Sequence, residues 1–141
     1  MPPRKKQLEF KRLDPKAVAP FKATEGAAGY DLTAIGKQGN LYSTGIAFSI
    51  PDDHVVLVFS RSSHGFKEDT RLSNCVGVID SDYTGEVKVK LRRDDGNPLT
   101  VQVGDRVAQA VCIPLAKLDL VEVDELKQTK RGNKGFGSTG K

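Results

Sequence analysis

Residues 74–91 read Asn-Cys-Val-Gly-Val-Ile-Asp-Ser-Asp-Tyr-Thr-Gly-Glu-Val-Lys-Val-Lys-Leu. A dense apolar run, Val76 to Ile79, leads into a polar turn, and an alternating segment, Glu86 to Leu91, follows. Apolar residues at every second position are typical of a half-buried β-strand, and the turn between the two segments indicates a tight hairpin. This hairpin carries carboxylates and a tyrosine at its mouth. A surface turn with solvated aspartates explains the same residues, so the hairpin alone does not decide a function.

The period of two recurs along the rest of the chain. Further alternating segments and dense apolar runs lie at 44–50, 55–59, 99–103, 107–113 and 118–123. Turn-forming residues separate them, and the turn at 94–98 predicts a hairpin that joins 86–91 to 99–103. The best helical candidate is one or two turns around Ser62 to Asp69. Roughly eight to ten short strands with no long helix to cover them must bury one another, which predicts an all-β, jelly-roll-like sandwich or barrel.

The 141 residues are enough for one domain, and their charge is divided unevenly. Residues 7–126 hold fourteen basic and eighteen acidic groups, whereas residues 127–141 hold five basic groups and no acid. We therefore expect a loose basic arm at 1–8, a β domain at 9–126 and a mobile Gly-rich arm at 127–141. This division does not favour a basic stripe on the folded face, so we expect no stable nucleic-acid complex.

The sequence also predicts where the protein resides. The first ten residues contain no apolar run, and nowhere do eighteen apolar residues follow one another, so we expect neither a secretion signal nor a membrane span. Cys75 and Cys112 stand singly in apolar segments, which favours reduced, buried thiols. We expect an intracellular, cytoplasmic protein. We interpret His54 and His64, which have no partner motif, as surface residues.

Two other segments carry groups that suit phosphate. Ser60-Arg-Ser-Ser-His-Gly65 offers a guanidinium, hydroxyls and backbone N–H groups directly after an apolar strand, although a plain loop at a strand end explains it equally well. The tail Arg131-Gly-Asn-Lys-Gly-Phe-Gly-Ser-Thr-Gly140 combines cations, hydroxyls, glycines and one aromatic residue. These residue types are more typical of a lid, in which Phe136 stacks on a base, than of a plain flexible tail.

Together with Ala28-Gly-Tyr-Asp-Leu-Thr-Ala34 and Gly104-Asp-Arg-Val-Ala-Gln-Ala110, these segments resemble the five ordered motifs of the trimeric dUTPase family, from about residue 26 to 140. The resemblance implies a jelly-roll homotrimer with three active sites at subunit interfaces, each closed by a C-terminal arm. It implies hydrolysis of dUTP to dUMP and pyrophosphate by water attack on the α-phosphate. This reaction keeps dUTP low and supplies dUMP for thymidylate synthesis.

The resemblance also implies a role for each matching residue of the hairpin. Asp80 matches the catalytic carboxylate that activates water. Tyr83 would pack against the deoxyribose and leave no room for a 2′-hydroxyl. Uracil would be bound by Asn74 and by the hairpin at Gly77, Val78, Ile79 and Lys88.

The other motifs match groups around the phosphates. Arg61, Ser62 and Ser63 match the phosphate-binding motif, and Gln109 would touch the phosphate chain. In the arm, Arg131 would bind phosphate, while Phe136 and Gly137 would cover the uracil. Ser138 and Thr139 would meet the terminal phosphate. Asp31 matches an acid near the phosphates in a supporting role. Three positions depart from the usual pattern: Ser60 replaces a common Pro, and Ser63 and Lys134 each replace a common Gly.

The expected cofactor is Mg²⁺. Because the sequence has no His, Asp and Glu cluster at metal-ligand spacing, we expect no direct protein ligand and a metal held mainly by the substrate phosphates and water.

Two rival functions remain at this stage. A dCTP deaminase, or a bifunctional deaminase–dUTPase, has a similar fold but needs a further carboxylate about ten residues beyond Asp80, where this chain reads Lys88-Val-Lys-Leu91. A non-enzymatic binding module would be expected to lose Asp80, Tyr83 or the arm, and all three are present.

Overall fold

The structure of the chain is a computed structural model that describes residues 6–137 and residue 140. Its described part contains nine β-strands and one short helix. In chain order they are β1 (Glu9–Arg12), β2 (Tyr30–Thr33), β3 (Gly36–Gln38), β4 (Leu41–Ser49), β5 (His54–Phe59), α1 (Ser62–Glu68), β6 (Thr70–Leu72), β7 (Gly77–Ile79), β8 (Glu86–Arg93) and β9 (Arg106–Pro114). The predicted helical turns around Ser62 to Asp69 are confirmed as α1.

Antiparallel pairing arranges the strands in two sheets. Sheet A has the order β1-β4-β8-β6, with β3 also paired to β4, and sheet B has the order β2-β9-β5-β7. One core of buried side chains from both sheets fills the space between them, and its largest members include Tyr42, Leu32, Ile46, Leu91 and Val56. The fold is an all-β, jelly-roll-like sandwich, as the period of two predicts.

Strand β8 shows how the alternation positions the core. Val87, Val89 and Leu91 are buried, whereas Lys88 and Lys90 between them are exposed. Because successive side chains of a strand point to opposite faces, one face of β8 closes the core and the other faces outward.

A bulge in β4 fixes the start of β8. Gly45 has a φ of 67°, and the β4–β8 register shifts between Ser43 and Ala47. An ideal Cβ on Gly45 would lie 2.7 Å from Cδ1 of Ile35, so both the conformation and the space require glycine. The backbone N–H of Gly45 donates to the Glu86 carboxylate over 2.9 Å. This hydrogen bond ties the bulge to the first residue of β8.

Residues 99–103 do not form the predicted strand, and the hairpin expected between them and 86–91 is wrong. Val101 is buried in the core, but its carbonyl oxygen accepts the Tyr42 hydroxyl over 2.7 Å. The backbone N–H of Gln102 donates to the Asp105 carboxylate over 2.9 Å. The backbone groups of this segment are therefore hydrogen-bonded to side chains and not to a neighbouring strand.

The turn at 94–98 is present without that hairpin. Both oxygens of the Asp95 carboxylate accept Nε of Arg93, and one of them also accepts the backbone N–H of Asn97. These hydrogen bonds, chiefly the one from Arg93, lower the pKa of Asp95 to about 2.

Past β9 the chain leaves the sandwich. The backbone N–H of Leu115 donates to the Asp53 carbonyl over 2.8 Å, and no helix or strand lies among residues 115–137. The strand predicted at 118–123 is therefore absent from the single chain. Leu118, Leu120 and Leu126 are almost fully exposed there. Among the described residues, no helix has the length and apolar character needed to cross a membrane.

Replacing Tyr42 by Phe tests the buried hydroxyl that holds residues 99–103. The change leaves the ring in place but removes the donor to the buried Val101 carbonyl, so we expect the free energy of unfolding to fall by about 1–3 kcal/mol. Urea denaturation measures this. Tyr30→Phe is the matched control, because the half-buried Tyr30 hydroxyl makes no hydrogen bond to the described residues. Equal stability losses in the two variants would contradict the role of Tyr42.

Candidate active site

A cavity of about 560 Å³ opens between β7 and β8. The turn at 80–85 joins these two strands, but β7 pairs with β5 in sheet B and β8 pairs with β4 and β6 in sheet A. The tight hairpin predicted for this segment is therefore wrong, because the chain crosses here from one sheet to the other. Its lining residues are Val58, Leu72, Asn74, Gly77, Val78, Ile79, Tyr83, Glu86, Val87, Lys88 and Val89. They include the six residues between Asn74 and Lys88 that the sequence assigns to uracil and sugar binding. Buried aliphatic side chains form one part of the wall, and β7 with Asn74 forms another. The cavity can therefore take a flat, partly apolar ring with polar edges.

Asp80 directly follows the lining residue Ile79 at the end of β7 but does not itself line the cavity. It is exposed. Its backbone carbonyl accepts the N–H of Tyr83 over 3.1 Å, which closes the turn. The Asp80 carboxylate makes no hydrogen bond to any described residue, so it can hold a water molecule.

The ring of Tyr83 is fixed across the same turn. Its hydroxyl donates to the backbone carbonyl of Glu86 over 2.8 Å, and the side chain is about half exposed. Glu86 is the single acidic residue that the described part of the chain contributes to the cavity wall. Its carboxylate already accepts the N–H of Gly45.

The groups expected around phosphate lie on another surface. Gln109 of β9 pairs with Asp31 of β2 on one side and with Phe59 of β5 on the other. Leu32 and Ala110, their neighbours in sequence, are fully buried, so Asp31 and Gln109 point out of sheet B, away from the core. The cavity, by contrast, reaches core residues between the two sheets.

The loop that is expected to bind phosphate begins where β5 ends. The Ser60 carbonyl accepts Nε2 of Gln109 over 3.3 Å, and the Ser60 hydroxyl accepts the backbone N–H of Leu72 over 3.0 Å. Ser60 therefore links the loop to β9 through its backbone carbonyl and to β6 through its hydroxyl, and a proline at this position could not make the link to β6. Arg61 and Ser62 follow directly, at the start of α1, and Ser63 lies within it. None of these three residues lines the cavity.

In the single chain, the described residues of the C-terminal arm lie apart from the cavity and from the residues expected around phosphate. Nε of Arg131 donates to the Lys134 carbonyl over 2.6 Å, which folds this segment onto itself. Phe136 is fully exposed with a φ of 54°, and Gly137 follows with a φ of 89°. No described arm residue lines the cavity. Ser138 and Thr139 lie outside the described residues.

The sequence over residues 16–140 matches the family model described as dUTPase. The chain belongs to the dUTPase family. It is 40% identical to the deoxyuridine 5′-triphosphate nucleotidohydrolase of Nautilia profundicola, with 96% of this chain and 99% of that protein covered. It is 38% identical to the protein of the same name from Histophilus somni, with the same coverage of each chain.

A solved structure has the same fold as this dUTPase family member. It is Staphylococcus bacteriophage 80alpha dUTPase with dUPNHPP, with a TM-score of 0.81 and 25% sequence identity. The comparison covers 96% of this chain and 99% of the phage chain.

Sequence reasoning missed Arg106. In this dUTPase family member, Nη1 of Arg106 lies 3.0 Å from the Asp31 carboxylate, and its guanidinium stands 5.9 Å from the centroid of the Phe21 ring. The segment Gly104-Asp-Arg contains Arg106, but a strand register is needed to show that it meets Asp31. The Asp31 carboxylate, which lies beside Gln109, therefore already has Arg106 as its cationic partner.

Both cysteines are free thiols, but they differ in how deeply they are buried. Cys75 is exposed, with a φ of 67° in the loop before β7, so the prediction of a buried thiol is wrong there. Nη1 of Arg71 lies 3.5 Å from its sulfur. Cys112 is half-buried, and burial raises the pKa of its thiol.

The histidines are less exposed than the sequence suggests. Both are half-buried, and Nδ1 of His54 lies 2.7 Å from the Asp53 carboxylate. Nδ1 of His64 is buried without a hydrogen-bond partner among the described residues. Burial lowers the pKa of His64, the charge of Arg61 lowers it further, and Glu68 and Asp105 oppose the shift.

His64 is therefore expected to make stability depend on pH. An unfolded histidine binds its proton near pH 6.5, whereas folded His64 binds it only at lower pH. The unfolded state then holds more protons, so the free energy of unfolding falls as pH drops through and below about 6.5. Urea denaturation between pH 8 and 5.5 should show a smaller fall for His64→Gln than for the wild type. Parallel pH profiles of the two proteins would contradict this role.

Proposed function

We propose that this chain hydrolyses dUTP to dUMP and pyrophosphate, with Asp80 as the base that activates water. The observation that carries the proposal is the cavity that Asn74, β7 and Tyr83 line. Asp80 directly follows the lining residue Ile79 and is exposed, which supports its role as the base. We further propose that the protein acts inside the cell, where deoxynucleotide triphosphates occur.

Selection of uracil would rest on hydrogen-bond polarity and on space. Uracil presents an acceptor at O4 where cytosine presents an amino donor, so a backbone N–H aimed at O4 pairs with one base and opposes the other. The β7 residues Gly77, Val78 and Ile79 would supply such groups, and Asn74 and Lys88 also line the cavity. Thymine would be excluded because its methyl group would need space that the β7 backbone occupies.

Hydrolysis between the α- and β-phosphates needs a water in line with the leaving pyrophosphate. The Asp80 carboxylate would hold this water and accept one of its protons as oxygen attacks the α-phosphorus. An aspartate is a weak base at neutral pH, so the position of the water must supply much of the acceleration. An exposed Asp80 carboxylate without a hydrogen bond to the described residues suits this role.

Residues outside the cavity would bind the phosphates and neutralise their charge. Arg61, Ser62, Ser63 and Gln109 supply a guanidinium, hydroxyls and an amide, and Arg131, Ser138 and Thr139 of the arm would add to them. Asp31 would support the cluster, with Arg106 holding its carboxylate.

Mg²⁺ is the proposed cofactor. The described residues include no group of three or more His, Cys, Asp or Glu that could hold a metal ion. The donors present, single carboxylates and hydroxyls near the phosphate cluster, fit an ion bound chiefly by phosphate oxygens and water. When bound, Mg²⁺ would neutralise charge on the phosphates.

A complete site would need more than one chain. Asp31 and Gln109 point out of sheet B, whereas the cavity lies between the sheets at the β7 edge. Strands β2 and β7 are the two edges of that sheet, about 14 Å apart at ~4.8 Å per strand spacing. A cavity from one subunit facing the outer surface of sheet B in the next would bring the groups together, so we propose a homotrimer with three shared sites.

The arm would close each shared site. Residues 115–137 leave the sandwich, and a fully extended chain of this length reaches roughly 75 Å, enough to meet a neighbouring subunit. Phe136 is exposed and available to stack on a base, and glycines on both sides allow the close approach. Gly137 would then bring the hydroxyls of the last residues to the terminal phosphate.

A deaminase needs a free carboxylate in the base cavity. Glu86 is the acid that lines the cavity, and its carboxylate accepts the Gly45 N–H. This arrangement favours hydrolysis of the phosphate chain over removal of ammonia. Incubation with dCTP and measurement of released ammonia separates the two reactions, and pyrophosphate release from dUTP but not from dTTP, dCTP or UTP supports the proposal.

Asp80→Asn should lower kcat for dUTP by at least about 100-fold, because an amide cannot accept the proton from water. The side chain keeps its size, so affinity for an α,β-imido analogue of dUTP, measured by calorimetric titration, should stay within about threefold of the wild type. Asp82→Asn is the matched control. It removes an exposed carboxylate from the same turn, and we expect its kcat to match the wild type.

Normal turnover by Asp80→Asn would remove Asp80 from the role of base. A folded Asp80→Asn protein that loses analogue binding as severely as turnover would show that Asp80 acts mainly in binding. A loss of turnover in Asp82→Asn equal to that in Asp80→Asn would assign the effect to the charge of the turn.

A further inference from the structure

Gly85 lies against the Tyr83 ring more closely than any residue with a side chain could. An ideal Cβ on Gly85 would stand 2.7 Å from Oη of Tyr83, 2.8 Å from Cζ and 3.2 Å from Cε2. The φ of Gly85 lies outside the left-handed region, so its backbone conformation is open to other residues. Space, and not backbone conformation, therefore favours glycine at this position.

Two further contacts define the place of the ring. The backbone N–H of Tyr83 donates to the Asp80 carbonyl, and its hydroxyl donates to the Glu86 carbonyl. Glu86 is itself anchored, because its carboxylate accepts the Gly45 N–H at the bulge of β4. The ring is thus held at its backbone, at its tip and along the flank that meets Gly85, while its remaining surface faces the cavity and solvent.

A side chain at position 85 would move the ring and leave the fold intact. The atoms that a Cβ would meet belong to the far end of a half-exposed side chain, and none of the three nearest is backbone. The cheapest response is rotation of the ring toward solvent, which breaks its hydrogen bond to Glu86.

We propose that Gly85 is a positioning residue that determines sugar specificity. By letting the Tyr83 ring lie against the chain, it would set the space left at C2′ of the bound nucleotide and so separate 2′-deoxy from 2′-hydroxy substrates. The inference rests on the proposed hydrolysis of dUTP and deepens it. It assigns discrimination to a residue that has no side chain and would act through the Tyr83 ring.

The test compares Gly85→Ala with Gly26→Ala. Gly26 has a φ outside the left-handed region, and an ideal Cβ on it would meet nothing within 4 Å, so it controls for the glycine-to-alanine change itself. We expect the ratio of kcat/KM for dUTP to kcat/KM for UTP to fall by at least about tenfold in Gly85→Ala, mainly through faster use of UTP. Gly26→Ala should keep the wild-type ratio.

A double-mutant cycle ties the effect to the ring. Tyr83→Ala should lower the same ratio, and adding Gly85→Ala to it should change the ratio by less than about twofold, because the group that the new Cβ displaces is gone. A residue with a purely structural role would lower activity toward both nucleotides and would do so in either background.

Three results would overturn the inference. They are a wild-type ratio in folded Gly85→Ala, a second full loss of selectivity when Gly85→Ala is added to Tyr83→Ala, and a Gly85→Ala chain that does not fold. Failure of the wild-type protein to hydrolyse dUTP is a different outcome, since it would refute the proposed function and remove the basis of this inference with it.

Discussion

Strand β5 is hydrogen-bonded along both edges, to β9 on one side and to β7 on the other, and both halves of the candidate site depend on this position. β7 leads directly into Asp80, and β9 carries Gln109. Val58 of β5 faces the cavity and the core together. A slip of β5 by one residue would turn Val58 outward and separate Ser60 from both Leu72 and Gln109, because side chains alternate along a strand. Packing of the core therefore fixes the register of the site.

The same alternation separates the chemistry of the two surfaces. Residues that face inward build the core and the apolar part of the cavity wall, while Asp31 and Gln109 face outward from sheet B. Within one chain, the cavity and the residues expected to bind phosphate therefore lie on different surfaces. Under the proposed function, catalysis requires assembly, and a free chain is inactive even when it is correctly folded. The exposed apolar residues of 115–126 give the chain surface that assembly could bury.

Much of this arrangement follows from local patterns in the sequence. The alternation of Val87, Val89 and Leu91 predicts β8, and the order of the motifs predicts the family. Such local patterns do not predict which residues meet when they are far apart in the sequence. Arg106 reaches Asp31 across 75 positions, and Tyr42 reaches Val101 across 59, which keeps residues 99–103 out of a sheet despite their alternation. The alternating residues 118–123 form no strand, because a strand needs a partner and these residues pair with no edge of either sheet.

Under the proposed function, the cavity of one chain and its phosphate-binding residues, such as Arg61, serve different active sites. Oligomers that mix two inactive variants distinguish this arrangement from a site built within one chain. Asp80→Asn and Arg61→Ala chains, each inactive alone, are unfolded together in equal amounts, refolded and assayed with dUTP. If each site takes Asp80 from one chain and Arg61 from another, random mixing restores about one quarter of the sites. We expect the mixture to recover dUTP hydrolysis at that fraction of the sites. Activity no greater than that of the separately refolded variants, in a mixture shown to contain hybrid oligomers, would contradict it.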